Sequence, residues 1–225
     1  SFPGTPLPRA VLTGLPLRAT IRDLVADRTA DAAARRRAGA AALGLDPSRT
    51  TLLVTGGSLG AARINTALAE GAADLIDAGV QVLHLTGAGK DAQVRSATAG
   101  LAGYHVHSYL DDMASAYAAA DLVLARAGAG TVSELAALGL GAVYVPLPIG
   151  NGEQRRNAAD VVAAGGGLLV PDDELTASFV RGPLRDLLST PDRLRAMSTA
   201  AAQAGIHAGA TRLTELVLDA AGAGS

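Results

Sequence analysis

The sequence predicts an α/β fold: a doubly wound, Rossmann-like parallel sheet of six strands, covered by helices on both faces and followed by C-terminal helices. Three observations predict it. Short apolar runs alternate with helical patterns from Thr50 onward, which is the rhythm of βα units. The runs are mainly apolar on both sides, as strands of a sheet covered on both faces are. Two of them lead straight into glycine-rich turns, Gly56-Gly57-Ser58-Leu59-Gly60-Ala61 and Ala127-Gly128-Ala129-Gly130.

The opening stretch, Ser1 to Pro8, is proline-rich and reads as extended chain. Arg9 to Thr13 reads as a strand, closed by the turn Gly14-Leu15-Pro16. Residues 19 to 43 carry a helical pattern, and Arg35-Arg36-Arg37 reads as its solvated face. Gly44 suits the helix end, and Asp46-Pro47-Ser48 is a turn. The first strand of the repeating pattern is Thr51 to Val54, followed by a helix to about Ala78. The second strand is Val80 to Leu85, and a helix occupies residues 90 to 99. The third is Tyr104 to His107, after which Asp111 or Asp112 caps a helix reaching Ala120. Asp121 to Ala125, Ala142 to Pro146 and Gly167 to Val170 complete the six, with a helix over residues 153 to 164 between the last two. Thr190-Pro191-Asp192 starts a further helix with proline at its first position. Thr211 to Ala221 is amphipathic, with Leu213, Leu216 and Val217 on one face, suited to packing on a neighbouring domain.

Six such units predict the strand order 3-2-1-4-5-6. Ligands then sit beyond the carboxyl ends of the strands, at the switch between strands one and four. The two glycine loops follow those two strands, so the topology places both beside one crevice.

Composition narrows the chemistry. The chain has 225 residues, 49% of them hydrophobic, with a formal charge of −2. That balance gives no electrostatic footprint for nucleic acid. With no cysteine, disulfides, thiolate catalysis and cysteine zinc sites are excluded. The four histidines lack metal-ligand spacing, so neither a metal site nor a cofactor is expected. No run is long and unbroken enough to span a bilayer, no signal peptide is visible, and a cytoplasmic protein is expected.

The candidate site centres on Ala127 to Glu134. The glycines let the backbone approach a ligand, and the helix behind them offers unpaired N–H groups and a positive dipole end to phosphate. Glu134 is placed to accept from vicinal hydroxyls such as those of a ribose. Thr131-x-x-Glu134 reads also as a capping box that only satisfies helix-end donors. Ser58 in the first glycine loop can hold a phosphate or cap the next helix. Gln154 and Asn157, three apart, share a helix face; their amides suit sugar hydroxyls, or form a plain polar face. His84, inside an apolar strand, reads as a satisfied core histidine. His105 and His107 lack a carboxylate to orient them as a base.

Taken together, Gly56 to Ala61 with Asn65, Asp111-Asp112-Met113 with Ala116-Tyr117, the loop through Glu134, and Gln154-x-x-Asn157-Ala158 resemble the MurG family over about Thr13 to Val170. These are bacterial transferases that add N-acetylglucosamine to lipid I in peptidoglycan synthesis. Val145 to Gln154 is closest to the actinobacterial branch. The resemblance implies two Rossmann-like domains, the second binding UDP-N-acetylglucosamine, the first holding lipid I, the membrane contact and the catalytic histidine. The first domain's loop signature is absent here. Residues 1–18 are therefore expected to be a remnant of the acceptor domain and hinge, and 19–225 the UDP-sugar-binding domain with a helical tail. The full enzyme would be peripheral at the inner face of the cell membrane; the chain alone would bind donor without turning it over.

The same resemblance implies roles by position. Arg18 lies near the donor, Ser58 at the diphosphate, and the Leu110 backbone at uracil with Tyr109 beside it. The run Ala129, Gly130, Thr131, Val132, Ser133 and Glu134 surrounds the donor. The first three of these offer main-chain contacts to phosphate and sugar, and Glu134 holds the ribose. Gln154 and Asn157 hold the sugar hydroxyls. Three other readings stand beside this one. A non-catalytic donor-binding subunit could work with a separate acceptor chain. A dinucleotide-dependent oxidoreductase would need a ribose-binding acid near the end of strand two, where Thr86-Gly87 stands; a UDP-sugar epimerase would share the donor site.

Overall fold

The structure is a computed structural model that describes residues 8, 11–57, 61–206 and 209–222. Its element order is α1 (Ala19–Ala42), β1 (Thr51–Thr55), α2 (Ala62–Glu70), α3 (Ala72–Asp77), β2 (Gln81–Leu85), α4 (Asp91–Ala97), β3 (Tyr104–His107), α5 (Met113–Ala119), β4 (Leu122–Ala125), α6 (Ala129–Ala137), β5 (Ala142–Tyr144), α7 (Glu153–Ala163) and β6 (Gly167–Leu169). After β6 come α8 (Ala177–Phe179), a π-helical turn (Val180–Leu184), α9 (Arg185–Leu188), α10 (Pro191–Ala204) and α11 (Gly209–Gly222).

The six strands form one sheet in the order β3-β2-β1-β4-β5-β6, and every pairing is parallel. This is the predicted doubly wound topology. Side chains alternate between the faces along each strand. Leu53, Leu83 and Val123 join a core with Ile21, Leu24, Ala116 and Leu135. Leu52, Val54, Val82, Leu122 and Leu124 join the other with Ile64, Leu68, Leu187 and Met197. Because both faces are covered, the strands are mostly apolar on both sides, and the buried exceptions Thr51, Gln81 and His84 are hydrogen-bonded.

Helix α1 lies along α5. At Gly39 an added Cβ would stand 2.6 Å from the Ser115 carbonyl oxygen and 3.0 Å from the Ala118 Cβ. The helices meet that closely only because Gly39 lacks a side chain. Gly39→Ala is expected to destabilise the fold by about 1–3 kcal/mol through overpacking, although alanine is the better helix former by about 1 kcal/mol. Urea unfolding of the pair of proteins checks this; equal or greater stability of the variant contradicts it.

Several local expectations are corrected. The helix over 19–43 is two segments joined at Asp31 (φ −155°, ψ 89°). The Asp31 carboxylate takes the Ala34 N–H at 2.8 Å, capping the second segment and breaking the first. The helix to Ala78 is broken at Gly71 into α2 and α3. Val11 to Thr13 form no strand, and Arg9 and Ala10 lie outside the described residues. The chain there runs beside Ile206, which an added Gly14 Cβ would meet at 2.7 Å, and joins neither sheet edge. In α11, Leu213, Leu216, Val217 and Leu218 are exposed.

Arg36 is not a solvated arginine. Its Nε donates to Pro47 O, and its two terminal nitrogens donate to Ala119 O, Arg49 O and both Asp121 oxygens, at 2.7–3.1 Å. All five guanidinium donors are thereby used. Asp121 Oδ2 also accepts the Thr51 N–H at 2.7 Å. The cluster ties α1 to the starts of β1 and β4.

His84 is fully buried in β2. Asn65 donates its amide to Thr86 O at 3.0 Å, which leaves its oxygen to accept from His84 Nε2 at 3.1 Å. Nδ1 then accepts from the Tyr104 hydroxyl at 2.8 Å. Burial lowers the His84 pKa to about 3. Below about pH 6.5 the unfolded chain takes up a proton here that the folded chain does not, so stability is lost as pH falls from there towards 3. The expected loss at this residue between pH 7 and pH 5 is about 2 kcal/mol. Urea unfolding at both pH values checks it against His84→Gln, which keeps a donor and an acceptor. The variant should lose about 2 kcal/mol less over that interval; an equal loss in both proteins contradicts the assignment.

Candidate functional site

The site lies beyond the carboxyl ends of β1 and β4, where the strand order reverses. A crevice of about 580 Å³ opens there. Thr55, Gly56 and Gly57 after β1 form one wall, and Gly128, Gly130, Thr131 and Glu134 after β4 form another. Ser108, Tyr109, Leu110 and Met113 after β3 close one end, and Leu147 with Gln154 stands at the other. Another depression, of about 510 Å³, lies at the opposite ends of the strands, with Arg28, Arg36 and Asp121 in its lining. The Asp121 carboxylate there is already spent on Arg36 and Thr51.

Helix α6 begins at Ala129, with Gly128 as its N-cap (φ −64°, ψ 145°), and no side chain caps it. The capping-box reading of Thr131 and Glu134 is therefore corrected: both lie inside the helix. The first intrahelical bond is Val132 N–H to Gly128 O at 3.0 Å. The N–H groups of Ala129, Gly130 and Thr131 precede it and are the free donors of the first turn. Together with the dipole they make this end of α6 favourable for an anion.

The 3.6-residue period of α6 divides the candidate run. Gly130, Thr131 and Glu134 face the crevice. Ala129, Val132 and Ser133 line a separate hollow of about 80 Å³, together with Asn157 and Leu12. The same period separates Gln154 from Asn157. Gln154 reaches the crevice and accepts the Leu147 N–H at 2.9 Å. Asn157 donates to Ala127 O at 3.1 Å, holding the loop ahead of α6. Tyr109 is exposed. Ser58 lies outside the described residues.

Glu134 is the charged centre of the crevice. It is buried, yet both carboxylate oxygens are engaged. Arg18 Nε donates to Oε1 at 2.8 Å and Arg18 Nη2 to Oε2 at 2.9 Å. These bonds raise the Arg18 pKa. The Tyr117 hydroxyl makes a longer contact of 3.4 Å to Oε2; burial and the Glu134 charge raise its pKa and keep it protonated.

One contributor escaped the sequence reading. Arg126 follows β4 directly and is largely buried. Its Nη1 donates to Val145 O and Pro146 O, both at 3.2 Å, and to Asp172 Oδ1 at 2.6 Å. It pins the loop after β5 at the crevice rim and adds a positive charge to the lining. An arginine wedged between an apolar strand and a glycine loop was the available signal. Among the described residues no group of three or more His, Asp or Glu side chains could hold a metal ion. No helix among them is long and apolar enough to cross a membrane.

Known proteins resemble this chain in sequence and fold. Residues 51–216 match the model of the glycosyltransferase family 28 C-terminal domain. A Nocardioides sp. protein is 51% identical over 221 residues, covering 97% of this chain and 59% of that protein. A Bifidobacterium adolescentis protein is 48% identical over 221 residues, covering 91% of this chain and 56% of that protein. Both are named UDP-N-acetylglucosamine--N-acetylmuramyl-(pentapeptide) pyrophosphoryl-undecaprenol N-acetylglucosamine transferase. The chain thus spans 56–59% of the length of these relatives. Among solved structures, MurG of Acinetobacter baumannii aligns with a TM-score of 0.76 at 26% identity, over 97% of this chain and 59% of that one. The glycotransferase of kitacinnamycin shares the fold, with a TM-score of 0.59 at 22% identity over 77% of this chain and 43% of that one. The chain belongs to the glycosyltransferase family 28 C-terminal domain.

Proposed function

We propose that the crevice holds UDP-N-acetylglucosamine, and that the chain is the donor half of an inverting transferase that makes lipid II from lipid I. Glu134 carries this reading: a carboxylate nearly closed off from water, one turn into a helix whose free N–H groups flank it. That pairing suits a ribose beside a diphosphate, and the names of relatives about half identical supply the sugar. Gly130 and Thr131 would meet phosphate, Gln154 the sugar, and Leu110 with Tyr109 the uracil. Arg18 would be the residue at the mouth of the site. Ser58 would serve the diphosphate, while Ala129, Val132, Ser133 and Asn157 would shape the α6 end from behind.

In the reaction, an acceptor hydroxyl of lipid I attacks the anomeric carbon and the bond from that carbon to the β-phosphate oxygen breaks. UDP leaves with the bonding electrons. The acceptor's proton goes to a base outside this chain. The α6 N–H groups and dipole stabilise the charge growing on the diphosphate. Lipid I and the inner, cytoplasmic membrane face would be reached through the part of the relatives this chain does not span. In that arrangement residues 1–18 are the connection and 19–225 the nucleotide-binding unit.

Calorimetric titration with UDP-N-acetylglucosamine, UDP-glucose and NADH tests the proposal. Saturable binding of the first, without transfer to lipid I by the chain alone, is the expected result. Binding of NADH alone, or robust transfer by the isolated chain, contradicts it.

A further inference from the structure

Arg126 stands just ahead of the Gly128 N-cap of α6 and lines the crevice together with Gly128, Gly130 and Thr131. Its side chain is 13% exposed. Nη1 alone makes its hydrogen bonds, to Val145 O, Pro146 O and Asp172 Oδ1. The Nε–H is buried without an acceptor, and Nη2 makes no hydrogen bond among the described residues. One whole edge of the guanidinium is therefore unused, whereas Arg36 engages every donor it has. A buried charged group normally has its donors satisfied, because an unmet one carries a desolvation cost. The charge is unmet as well. Asp172 also accepts from Arg63 Nε at 3.1 Å, and among the described residues it is the one carboxylate paired with either arginine. Two positive charges thus share one negative charge beside the free N–H groups at the start of α6.

We propose that Arg126 binds the diphosphate of the ligand through its Nε–Nη2 edge, with Asp172 as the positioning residue that fixes the guanidinium by holding Nη1. The proposal rests on the reading of the crevice as a nucleoside-diphosphate site and adds a side-chain cation to it. The unused edge carries parallel N–H donors, which match two oxygens of one phosphate. As charge grows on the departing diphosphate, the same contact strengthens. An Arg126 that served only as an anchor would act elsewhere. It would hold the loop after β5, which brings Leu147 to Gln154 at the far end of the crevice. Its loss would then be felt by the sugar and not by the diphosphate.

The experiment is calorimetric titration of the chain, of Arg126→Met and of Arg126→Lys with UDP and UDP-N-acetylglucosamine, and with uridine measured by its displacement of UDP. Arg126→Met keeps an apolar stem without charge, and Arg126→Lys keeps the charge without the paired donors. UDP is expected to bind Arg126→Met about tenfold more weakly than the parent, the scale of a hydrogen bond between charged groups. Arg126→Lys is expected to lie between, about threefold weaker. Uridine is expected to bind all three proteins equally. Equal losses for uridine and UDP overturn the proposal, as does unchanged UDP affinity in either variant. A loss confined to UDP-N-acetylglucosamine also overturns it and leaves Arg126 as a loop anchor. If the parent binds UDP no more tightly than uridine, the diphosphate reading of the crevice fails and this proposal falls with it. Thermal unfolding verifies the fold of each variant before titration, and Arg126→Lys carries the same comparison should Arg126→Met not fold.

Discussion

Glu134→Ala is expected to weaken UDP-N-acetylglucosamine binding by about tenfold to a hundredfold. Hydrogen bonds to a charged group contribute about 1.5–3 kcal/mol, and tenfold in affinity corresponds to about 1.4 kcal/mol. Glu134 would offer two such bonds to the ribose. The fold should survive the change. Its ion-pair partner Arg18 is 57% exposed and returns to water, so a stability loss below about 1 kcal/mol is expected. Glu134→Gln keeps the shape and one acceptor and should bind with intermediate affinity. Unchanged affinity in Glu134→Ala, measured by calorimetry on a folded variant, would mean that this carboxylate serves only Arg18.

The largest stability effect is expected at the opposite ends of the strands. Asp121 accepts two bonds from Arg36 and one from the Thr51 N–H. Replacing Asp121 with alanine leaves a half-buried guanidinium and a backbone donor without their acceptor. Breaking a fully buried pair costs about 3–5 kcal/mol. The side chains here are 22% and 30% exposed, which sets the expectation at the lower end, about 3 kcal/mol. Arg36→Ala should cost a similar amount, and the double variant less than the sum, since one cluster is removed in each case. Urea unfolding of the three variants gives the coupling directly. A loss under about 1 kcal/mol for Asp121→Ala would place the pair among ordinary surface ion pairs.

What could be read in the sequence follows from how local the cause is. The six strands were legible because burial on both faces favours apolar residues, as in Leu52-Leu53-Val54 and Leu122-Val123-Leu124. Their order followed from the count of six strand-helix units. It placed both glycine loops at one crevice before any coordinates. Pairs made across long separations were not legible. Arg36 meets Asp121 85 residues away, and Arg18 meets Glu134 across 116 residues. Local pattern gave Arg36 as solvated, and only the resemblance put Arg18 near the donor.

Boundaries failed for a different reason. Glycine disfavours helix by about 1 kcal/mol, so Gly128-Ala129-Gly130 suggested a loop with its cap at Thr131. Packing of Leu135 and Ala136 into the core starts α6 at Ala129 instead. That shift splits the candidate residues between two sides of the helix, with Glu134 on the crevice side and Ser133 behind. At the chain's start, Val11 to Thr13 have strand-like residues but no sheet edge to pair with, because the segment lies against Ile206. Composition can nominate a strand; only a partner makes one.

The most direct test of the central claim is a crystal structure of the chain grown with UDP. The account predicts nucleotide density in the crevice between the loops after β1 and β4. The diphosphate should sit at the start of α6, and the ribose hydroxyls should lie within hydrogen-bonding distance of Glu134. Nucleotide bound elsewhere, with the crevice empty, would contradict the account.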